Sequence, residues 1–166
     1  MGPWVKIALL ALTTNEVRAH VQNNVERNRA YNQAQAYALS VGKPFLVVGG
    51  PEGTNAIRHL FHMRAHGCGD YCLDVDAMAC TGCQTVVADV RDIPFSDSFF
   101  GAAFASHVIE HMPTVADGKK AISEMQRVAD EIFVVSPSKT SLIAWIHPDH
   151  HLWVKQTAEG VWLEQR

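Results

Sequence analysis

The run Phe45-Leu-Val-Val-Gly-Gly-Pro-Glu-Gly53 is a short apolar segment that passes directly into a glycine-rich turn. A continuous apolar run of this length is typical of a strand buried on both faces. Glycine permits backbone conformations that other residues avoid and lets a ligand approach the chain closely. The residues from Thr54 to about His66 are helix-like. The stretch therefore predicts a strand, a glycine-rich turn and a helix, in that order.

The alternation of apolar segments with helical patterns continues along the chain. Further strands are predicted at 71–75, 85–88, 99–105 and 131–135, and a hairpin at 152–155 with 161–164. A helix is predicted at 116–130, and another begins at Thr14 or Asn15 as its cap and ends before Gly42. This order predicts an α/β domain with a mostly parallel sheet and a C-terminal antiparallel hairpin.

Length and composition indicate one globular domain. The chain has 166 residues, of which 48% are hydrophobic and 19% charged, which excludes a mainly disordered segment. We divide the domain into an N-terminal helical segment (1–40), a central core (41–137) and a C-terminal loop and hairpin (138–166). The net charge of −3 gives no electrostatic reason to expect a nucleic-acid partner.

No apolar run approaches the roughly 20 residues that a membrane-spanning helix needs. The short apolar run behind Lys6 lacks a signal-peptide cleavage pattern and is interpreted as part of a helix or arm.

The four cysteines, Cys68, Cys72, Cys80 and Cys83, all fall between positions 68 and 83. This clustering is unusual for a disulfide framework that would staple a whole domain, so we expect buried or loop thiols and a cytoplasmic protein. A zinc site remains an alternative, because four thiolates and one C-x2-C pair are present. Cys72 fits that alternative poorly, because it falls inside a predicted strand.

Acidic residues follow two of the predicted strands. Asp74 ends the second strand, and Asp89 ends the third. An acidic side chain at the end of the second strand of a nucleotide-binding sheet accepts hydrogen bonds from a ribose diol, and Asp76 is an alternative for this role. Asp89 is placed to accept a hydrogen bond from an exocyclic amine such as that of adenine. Turn or cap roles are the alternative for each carboxylate.

Four motifs together resemble the class I S-adenosylmethionine-dependent methyltransferases of the small-molecule type. They are Leu46-Val-Val-Gly-Gly-Pro-Glu-Gly53, Leu73-Asp-Val75, Ala88-Asp-Val-Arg-Asp-Ile-Pro-Phe95 and Ser106-His-Val-Ile-Glu-His-Met112. The resemblance covers residues 40–137. It implies a Rossmann-like, doubly wound, mostly parallel sheet with helices on both faces, and S-adenosyl-L-methionine as the methyl donor.

The resemblance also implies a set of donor-binding residues. They are Gly49, Gly50, Glu52, Gly53, Asp74, Val75, Asp89, Val90 and Ser106. Three positions depart from the family pattern: Val47 stands where the family usually has an acidic residue, Pro51 where it has glycine, and Gly101 where it has aspartate. A catalytically degenerate binding or accessory protein with the same fold is therefore an alternative function, and a NAD-dependent Rossmann enzyme is a third.

Histidines supply the candidate catalytic and acceptor-binding residues. His107 and His111 are the predicted catalytic residues, because a histidine titrates near neutral pH and can accept a proton from an acceptor. His147 and His150, in the loop after the fifth strand, are the predicted substrate-binding residues. For this loop a purely polar surface and a metal site stay open as alternatives, and no metal ligand is assigned.

The acceptor itself is expected to be a small molecule. Trp145, Trp153 and Trp162 either wall an acceptor pocket or pack the hairpin core. The chain has no large insertion that would build a lid, so a site completed by a second copy in a homo-oligomer is a possible arrangement.

Overall fold

The computed structural model describes residues 2–51 and 64–166, and the helix predicted after the glycine-rich turn lies largely outside them. The main elements are α1 (Pro3–Ser40), β1 (Phe45–Val48), β2 (Tyr71–Asp74), β3 (Thr85–Val87), β4 (Phe100–Ser106), α2 (Val115–Val128), β5 (Ala129–Val135), α3 (Leu142–Ile146), β6 (Leu152–Thr157) and β7 (Gly160–Gln165). Two short 3₁₀ helices span Ala77–Cys80 and Ile109–His111.

Five parallel strands form the main sheet, in the order β3-β2-β1-β4-β5. The strand order reverses at β1, and ligands of such sheets bind beyond the carboxyl ends of the strands at this point. Strands β6 and β7 pair antiparallel as a separate two-stranded sheet. The predicted Rossmann-like fold with a C-terminal hairpin is confirmed.

Helices pack on both faces of the main sheet, and the side chains of β1 show why. Successive side chains of a strand point to opposite faces. Leu46 and Val48 belong to the core cluster that contains Met125 of α2. Val47 belongs to the second cluster, which contains Ala34 of α1. An apolar run without alternation was therefore the correct signal for a strand covered on both sides.

Helix α1 is longer than the sequence pattern predicted. It begins at Pro3, a position that proline favours because its missing N–H would have no helical partner there. The predicted cap at Thr14 or Asn15 is wrong: Thr14 lies inside the helix, and its hydroxyl donates to the carbonyl of Leu10 at 2.8 Å. The predicted end is correct, since α1 stops at Ser40 and Gly42 takes a left-handed φ of +66°.

The N-terminal part of α1 is exposed, with Trp4 80% and Leu10 69% accessible. The helix is attached to the domain by Glu16, whose carboxylate accepts hydrogen bonds from the hydroxyl of Ser141 and from the backbone N–H of Leu142. These bonds lower the pKa of Glu16, with the Leu142 bond contributing most. Within residues 2–51 and 64–166, no helix has the length and apolar content of a membrane span.

Most strand boundaries lie within two residues of their predicted positions. β1 has the predicted bounds, and β5 begins at Ala129, two residues before the prediction. The short helix α3 was not predicted, because five residues are too few for helical periodicity to be visible. It is capped by the hydroxyl of Ser141, which accepts from the N–H of Ala144 at 3.1 Å.

All four cysteines form disulfides, so the expectation of free thiols is wrong. Cys72 bonds to Cys80, and Cys68 bonds to Cys83, with Cα atoms 5.8 and 5.6 Å apart. Cys68 and Cys83 precede the parallel neighbours β2 and β3, which begin at the same edge of the sheet. The zinc alternative fails because each sulfur is bonded to another sulfur. Disulfides are typical of oxidising compartments, so the cysteines no longer support a cytoplasmic location.

Reduction of the disulfides should destabilise the β2–β3 region. Each bridge closes a short loop, of 15 or 8 residues in sequence separation, and restricts the unfolded chain. We expect reduction to lower the free energy of unfolding by about 2–5 kcal/mol in total, measured by urea titration with and without reductant. The control is a thiol titration in denaturant: the untreated chain should give no reactive thiol. Four reactive thiols before reduction would contradict the pairing.

Candidate functional site

The glycine-rich turn after β1 begins with a residue that only glycine can occupy. Gly49 has a φ of +86°, and its N–H donates to the carbonyl of Leu73 at 2.8 Å. A Cβ at this position would lie 2.3 Å from Cγ2 of Val108. The turn is thereby held between the end of β2 and the segment that follows β4.

Asp74 links this turn to β2. Its Oδ2 accepts the N–H of Gly50 at 2.8 Å, and its Oδ1 accepts the N–H of Asp76 at 2.9 Å. A carboxylate has about four acceptor positions, so Asp74 retains capacity for further hydrogen bonds. Asp76 itself caps the Ala77–Cys80 helix, accepting from the N–H of Met78 at 2.9 Å, which makes it the weaker ribose candidate.

The backbone donors at the start of the turn are used within the protein. The N–H groups of Gly49 and Gly50 have the partners given above, and Pro51 has no N–H. A Cβ at Gly50 would lie 2.2 Å from the carbonyl oxygen of Ala79, so the 3₁₀ helix packs directly on this residue. The remaining predicted turn residues, Glu52 and Gly53, lie outside the described residues. Any ligand contact at Gly49 or Gly50 is therefore made by Cα or carbonyl atoms.

Asp89 stands beside Asp74 at the same edge of the sheet, because the N–H of Ala88 donates to the Asp74 carbonyl at 3.1 Å. Its carboxylate binds the guanidinium of Arg91, with the closest nitrogen at 2.6 Å. The hydrogen bond from Arg91 is the largest cause of the lowered pKa of Asp89. Val90 is buried, whereas Val75 is 71% exposed. Sequence reasoning had not anticipated Arg91 as the partner of Asp89.

On the other side of the point where the strand order reverses, β4 ends at the buried Ser106, and His107 follows it. His107 has a left-handed φ of +59°, which is uncommon for a residue with a side chain. Its backbone N–H donates to the carbonyl of Val135 at 2.9 Å, and its Nε2 lies 2.8 Å from Oδ1 of Asn23 in α1. Since an amide oxygen only accepts, Nε2 carries the proton in the neutral ring.

Glu110 is a buried acid that the sequence did not single out as a functional residue. It is 1% exposed, and its Oε2 accepts the hydroxyl of Ser136 at 3.0 Å. Nδ1 of His107 lies 3.4 Å from the other carboxylate oxygen, Oε1. Burial raises the pKa of Glu110 to about 7. The Glu-His pair of the fourth motif was the available signal, but it was interpreted only through its histidine.

His111, His147 and His150 come together although they are separated by up to 39 positions. The ring centroids of His111 and His150 are 5.0 Å apart, and those of His147 and His150 are 4.2 Å apart in a stacked arrangement. Burial lowers the pKa of His111 and lowers that of His150 to about 4. Both rings are therefore neutral at physiological pH. The structure thus brings one predicted catalytic residue next to both predicted substrate-binding residues.

A cleft of about 560 Å³ lies between α1 and the hairpin. Its walls include Asn23, Ser136, Trp153 and Trp162. Asn23 and Ser136 are the residues that contact His107 and Glu110, so the cleft adjoins the carboxyl ends of β4 and β5. Trp145 packs against Trp153 with ring centroids 4.8 Å apart and is not among the cleft's lining residues.

Residues 56–131 match the family model described as a methyltransferase domain. This stretch, slightly less than half of the chain, is similar to methyltransferase domains. No curated protein matches the sequence. Among solved structures, the N-methyltransferase NodS from Bradyrhizobium japonicum WM9, in complex with S-adenosyl-L-homocysteine, is 16% identical, with a TM-score of 0.39. The match covers 60% of this chain and 55% of the NodS chain, and a likeness of this extent supports no functional argument.

Two departures of this chain from the methyltransferase pattern have packing reasons. Val47 is fully buried in the cluster beneath α1, where a carboxylate would have no solvent. At Gly101, a Cβ would lie 2.7 Å from Cγ2 of Val41 and 2.8 Å from Cα of Ala38. The close approach of the α1 C-terminus to β4 therefore excludes the aspartate that the family usually carries at this position.

Helix α2 holds the loop that carries Asp89 and Val90 in place. Glu124 accepts the N–H of Ile93 at 3.0 Å and binds the guanidinium of Arg127 at 2.7 Å. Arg127 in turn donates to the carbonyls of Ile93 and Phe95, at 2.8 and 2.7 Å. The hydrogen bond from Arg127 is the main reason why the pKa of Glu124 is lowered to about 2.

Glu124→Gln should destabilise the domain, because it removes the charge that holds both Arg127 and the Ile93 N–H. We expect a loss of about 1–2 kcal/mol at neutral pH, allowing for partial solvent screening, measured by urea titration. The folded-state pKa of Glu124 lies below its ordinary value of 4.5, so this contribution is complete above about pH 4.5 and is lost as the pH falls toward 2.

The matched control is Glu159→Gln, which removes the same charge from an exposed residue of the hairpin turn. Its stability should equal that of the parent chain. A difference between the Glu124→Gln variant and the parent that does not shrink on acidification would contradict the role of the ionised carboxylate.

Proposed function

We propose that this methyltransferase domain transfers a methyl group from S-adenosyl-L-methionine to a small-molecule acceptor. The observation that carries the proposal is Asp74: a partly exposed carboxylate at the end of β2, hydrogen-bonded to the glycine turn, with acceptor capacity left for a ribose diol. In nucleotide-binding sheets of this type, an acidic side chain at this edge typically accepts hydrogen bonds from the ribose hydroxyls. The residues present fit the ribose of the donor on this ground.

The proposed contacts of the donor follow the sheet edge. Asp74 and Val75 would hold the ribose, and Val90 with Asp89 would border the adenine. Arg91 already donates hydrogen bonds to the Asp89 carboxylate. Asp89 can therefore accept a hydrogen bond from an exocyclic amine only at a lone pair that the guanidinium leaves free. The amino-acid end of the donor would lie along Gly49, Gly50, Glu52 and Gly53, with Ser106 beside it.

Bound S-adenosylmethionine supplies an electrophilic methyl group on a sulfonium. Catalysis then depends mainly on holding the acceptor in line with that methyl group, and a base is needed only for an acceptor that arrives protonated. We propose that His107 and His111, at the carboxyl end of β4, face the methyl group and that His147 and His150 contact the acceptor. His111 has a ring nitrogen available for the acceptor. Its Nδ1 is hydrogen-bonded to the carbonyl of Asp149 at 2.9 Å, and its Nε2 keeps a lone pair.

A catalytically degenerate protein is the second candidate function, and one observation favours it. The N–H groups of Gly49 and Gly50 are already bonded, and Pro51 lacks one, so the start of the turn offers no backbone donor for a ligand carboxylate. Calorimetric titration with S-adenosylhomocysteine distinguishes the two candidates. Binding supports the proposal, and the absence of both heat and thermal shift at millimolar ligand supports the degenerate protein. A parallel titration with NAD tests the third candidate.

Asp74→Asn should weaken S-adenosylhomocysteine binding, because it removes a charge-assisted hydrogen bond to the ribose. We expect a loss of about 1–3 kcal/mol, or roughly 5- to 150-fold in Kd, by calorimetry. Asparagine retains one oxygen that can still accept the Gly50 N–H, so the melting temperature should change little.

Asp130→Asn is the control for this variant. It makes the same change at the amino end of β5, the opposite edge of the sheet, where Asp130 binds Lys43 at 2.7 Å. Its affinity for S-adenosylhomocysteine should match that of the parent chain. If Asp74→Asn binds S-adenosylhomocysteine as tightly as the parent chain does, Asp74 does not hold the ribose. Asp76 would then be the remaining candidate for this contact.

As an alternative to the histidine loop, we propose the cleft between α1 and the hairpin as the acceptor site; neither His147 nor His150 lines it. Its volume is within the range of small-molecule sites, and two tryptophans with polar neighbours give it the mixed lining such sites usually have. Nζ of Lys139 lies 4.8 Å above the Trp162 ring and is ion-paired with Glu164, so an acidic acceptor in the cleft would compete with that carboxylate for the lysine.

Trp162→Ala should raise the acceptor KM while leaving S-adenosylhomocysteine affinity unchanged. Loss of an aromatic contact predicts a change of roughly 5- to 10-fold, about 1 kcal/mol, in an acceptor screen that measures S-adenosylhomocysteine release. Trp145→Ala, which removes an indole that does not line the cleft, is the control. Equal effects of the two variants would indicate a general loss of hairpin packing and would contradict the acceptor cleft.

A further inference from the structure

Three metal-ligating side chains converge near the carboxyl end of β4. Glu110 and His111 come from the Ile109–His111 helix, and His150 comes from the loop after α3. One ligand atom from each of the three residues lies within 4.8 Å of the other two. In the part of the chain that the structure describes, this is the one group of three such residues that approach each other so closely.

His111 is oriented by a backbone carbonyl, as metal-binding histidines usually are. Nδ1 of His111 lies 2.9 Å from the carbonyl oxygen of Asp149. A carbonyl only accepts, so this nitrogen carries the proton, and Nε2 keeps a lone pair. The pKa of His150 is lowered to about 4, so its ring is neutral, and a neutral imidazole keeps one unprotonated nitrogen. Each ring therefore has a lone pair available for an ion.

Glu110 provides a second and independent observation. Its side chain is almost fully buried, and Oε1 makes no hydrogen bond among the described residues, although Nδ1 of His107 lies 3.4 Å from it. An unsatisfied buried oxygen is unusual in proteins and requires an explanation. Ser136 occupies only Oε2, and a neutral His107 with its proton on Nε2 has none to donate from Nδ1, so a cation near the carboxylate would supply the missing interaction.

His147, although it stacks on His150, is not expected to be a ligand. Its Nδ1 accepts the backbone N–H of Asp149 at 3.3 Å, so the proton of the neutral ring resides on Nε2. The stacked ring instead limits the rotation of His150. The cluster thus provides two imidazole ligands and one carboxylate.

We propose that Glu110, His111 and His150 form a binding site for a divalent transition-metal ion, with zinc as the favoured occupant. Two histidines and one glutamate are a known three-ligand set for zinc sites that keep a fourth position open. Ligand atoms around tetrahedral zinc are about 3.3 Å apart, so the three atoms need to approach by at most about 1.5 Å. Side-chain rotation of the two partly exposed histidines is sufficient for such a change.

The open position would give the site a chemical role. Glu110 and His111 follow the carboxyl end of β4, and an anionic oxygen is the expected fourth ligand of the ion. In the metal-loaded chain, His111 and His150 would hold an acceptor through the ion rather than directly. Metal binding itself does not depend on the proposed methyl transfer, and it can be measured without donor or acceptor.

Metal binding is tested with the tag-free full chain, stripped with a chelator and kept oxidised so that the cysteines stay paired. We expect calorimetry with Zn²⁺ to give one site per chain, and Co²⁺ to give visible d–d absorption that Zn²⁺ abolishes. His111→Gln and His150→Gln should each weaken Zn²⁺ binding by more than about 100-fold, because loss of even a supporting residue commonly costs 10- to 100-fold. Glu110→Gln should weaken it as well.

His151→Gln is the matched control, since it removes an exposed neighbouring histidine that is not part of the ligand set. Its Zn²⁺ affinity should stay within about twofold of the parent chain, and circular dichroism should confirm that every variant is folded. Absence of a stoichiometric site, equal weakening in His151→Gln, or full affinity in both His111→Gln and His150→Gln would each overturn the proposal. Failure of S-adenosylhomocysteine binding would contradict only the proposed function.

Discussion

The Asp74 carboxylate organises the edge of the sheet on which the functional interpretation depends. It accepts the N–H of Gly50 from the turn after β1 and the N–H of Asp76 from the segment after β2. These two hydrogen bonds fix the turn against the neighbouring strand end, at the point where the strand order reverses. The Cys72–Cys80 disulfide then holds the following 3₁₀ helix against β2. A carboxylate that is both fixed and still able to accept hydrogen bonds is suited to recognise a diol without further rearrangement.

The two halves of the sheet edge, on either side of the point where the strand order reverses, differ in charge pairing and burial. On the side of β2 and β3, charges are paired near the surface, as Asp89 is with Arg91, and the loop is attached to α2. On the side of β4 and β5, Glu110 is buried beside histidines that are neutral because burial lowers their pKa values. The long helix α1 borders the second of these sides, since its Asn23 contacts His107 and lines the cleft.

How much of this was predictable depends on whether the signal is local. The bounds of β1 and the adjacency of Asp74 and Asp89 follow from an apolar run and from parallel topology, and both are visible in the sequence. Residues 1–40 were predicted as a helical segment, but the cap was placed at Thr14 or Asn15 because the first turns of α1 are exposed and show no periodic face. The disulfides were missed because cysteine spacing does not reveal which strands are neighbours. The approach of His150 to Glu110 joins loops 40 positions apart, and nothing local in either loop indicates it.

A crystal structure of the chain with S-adenosylhomocysteine tests the central claim most directly. The account predicts nucleoside density at the carboxyl ends of β1 and β2, with ribose hydroxyls within hydrogen-bond distance of the Asp74 carboxylate and the bond to Gly50 N–H preserved. A nucleoside bound at another place, or a ribose turned away from Asp74, would contradict it.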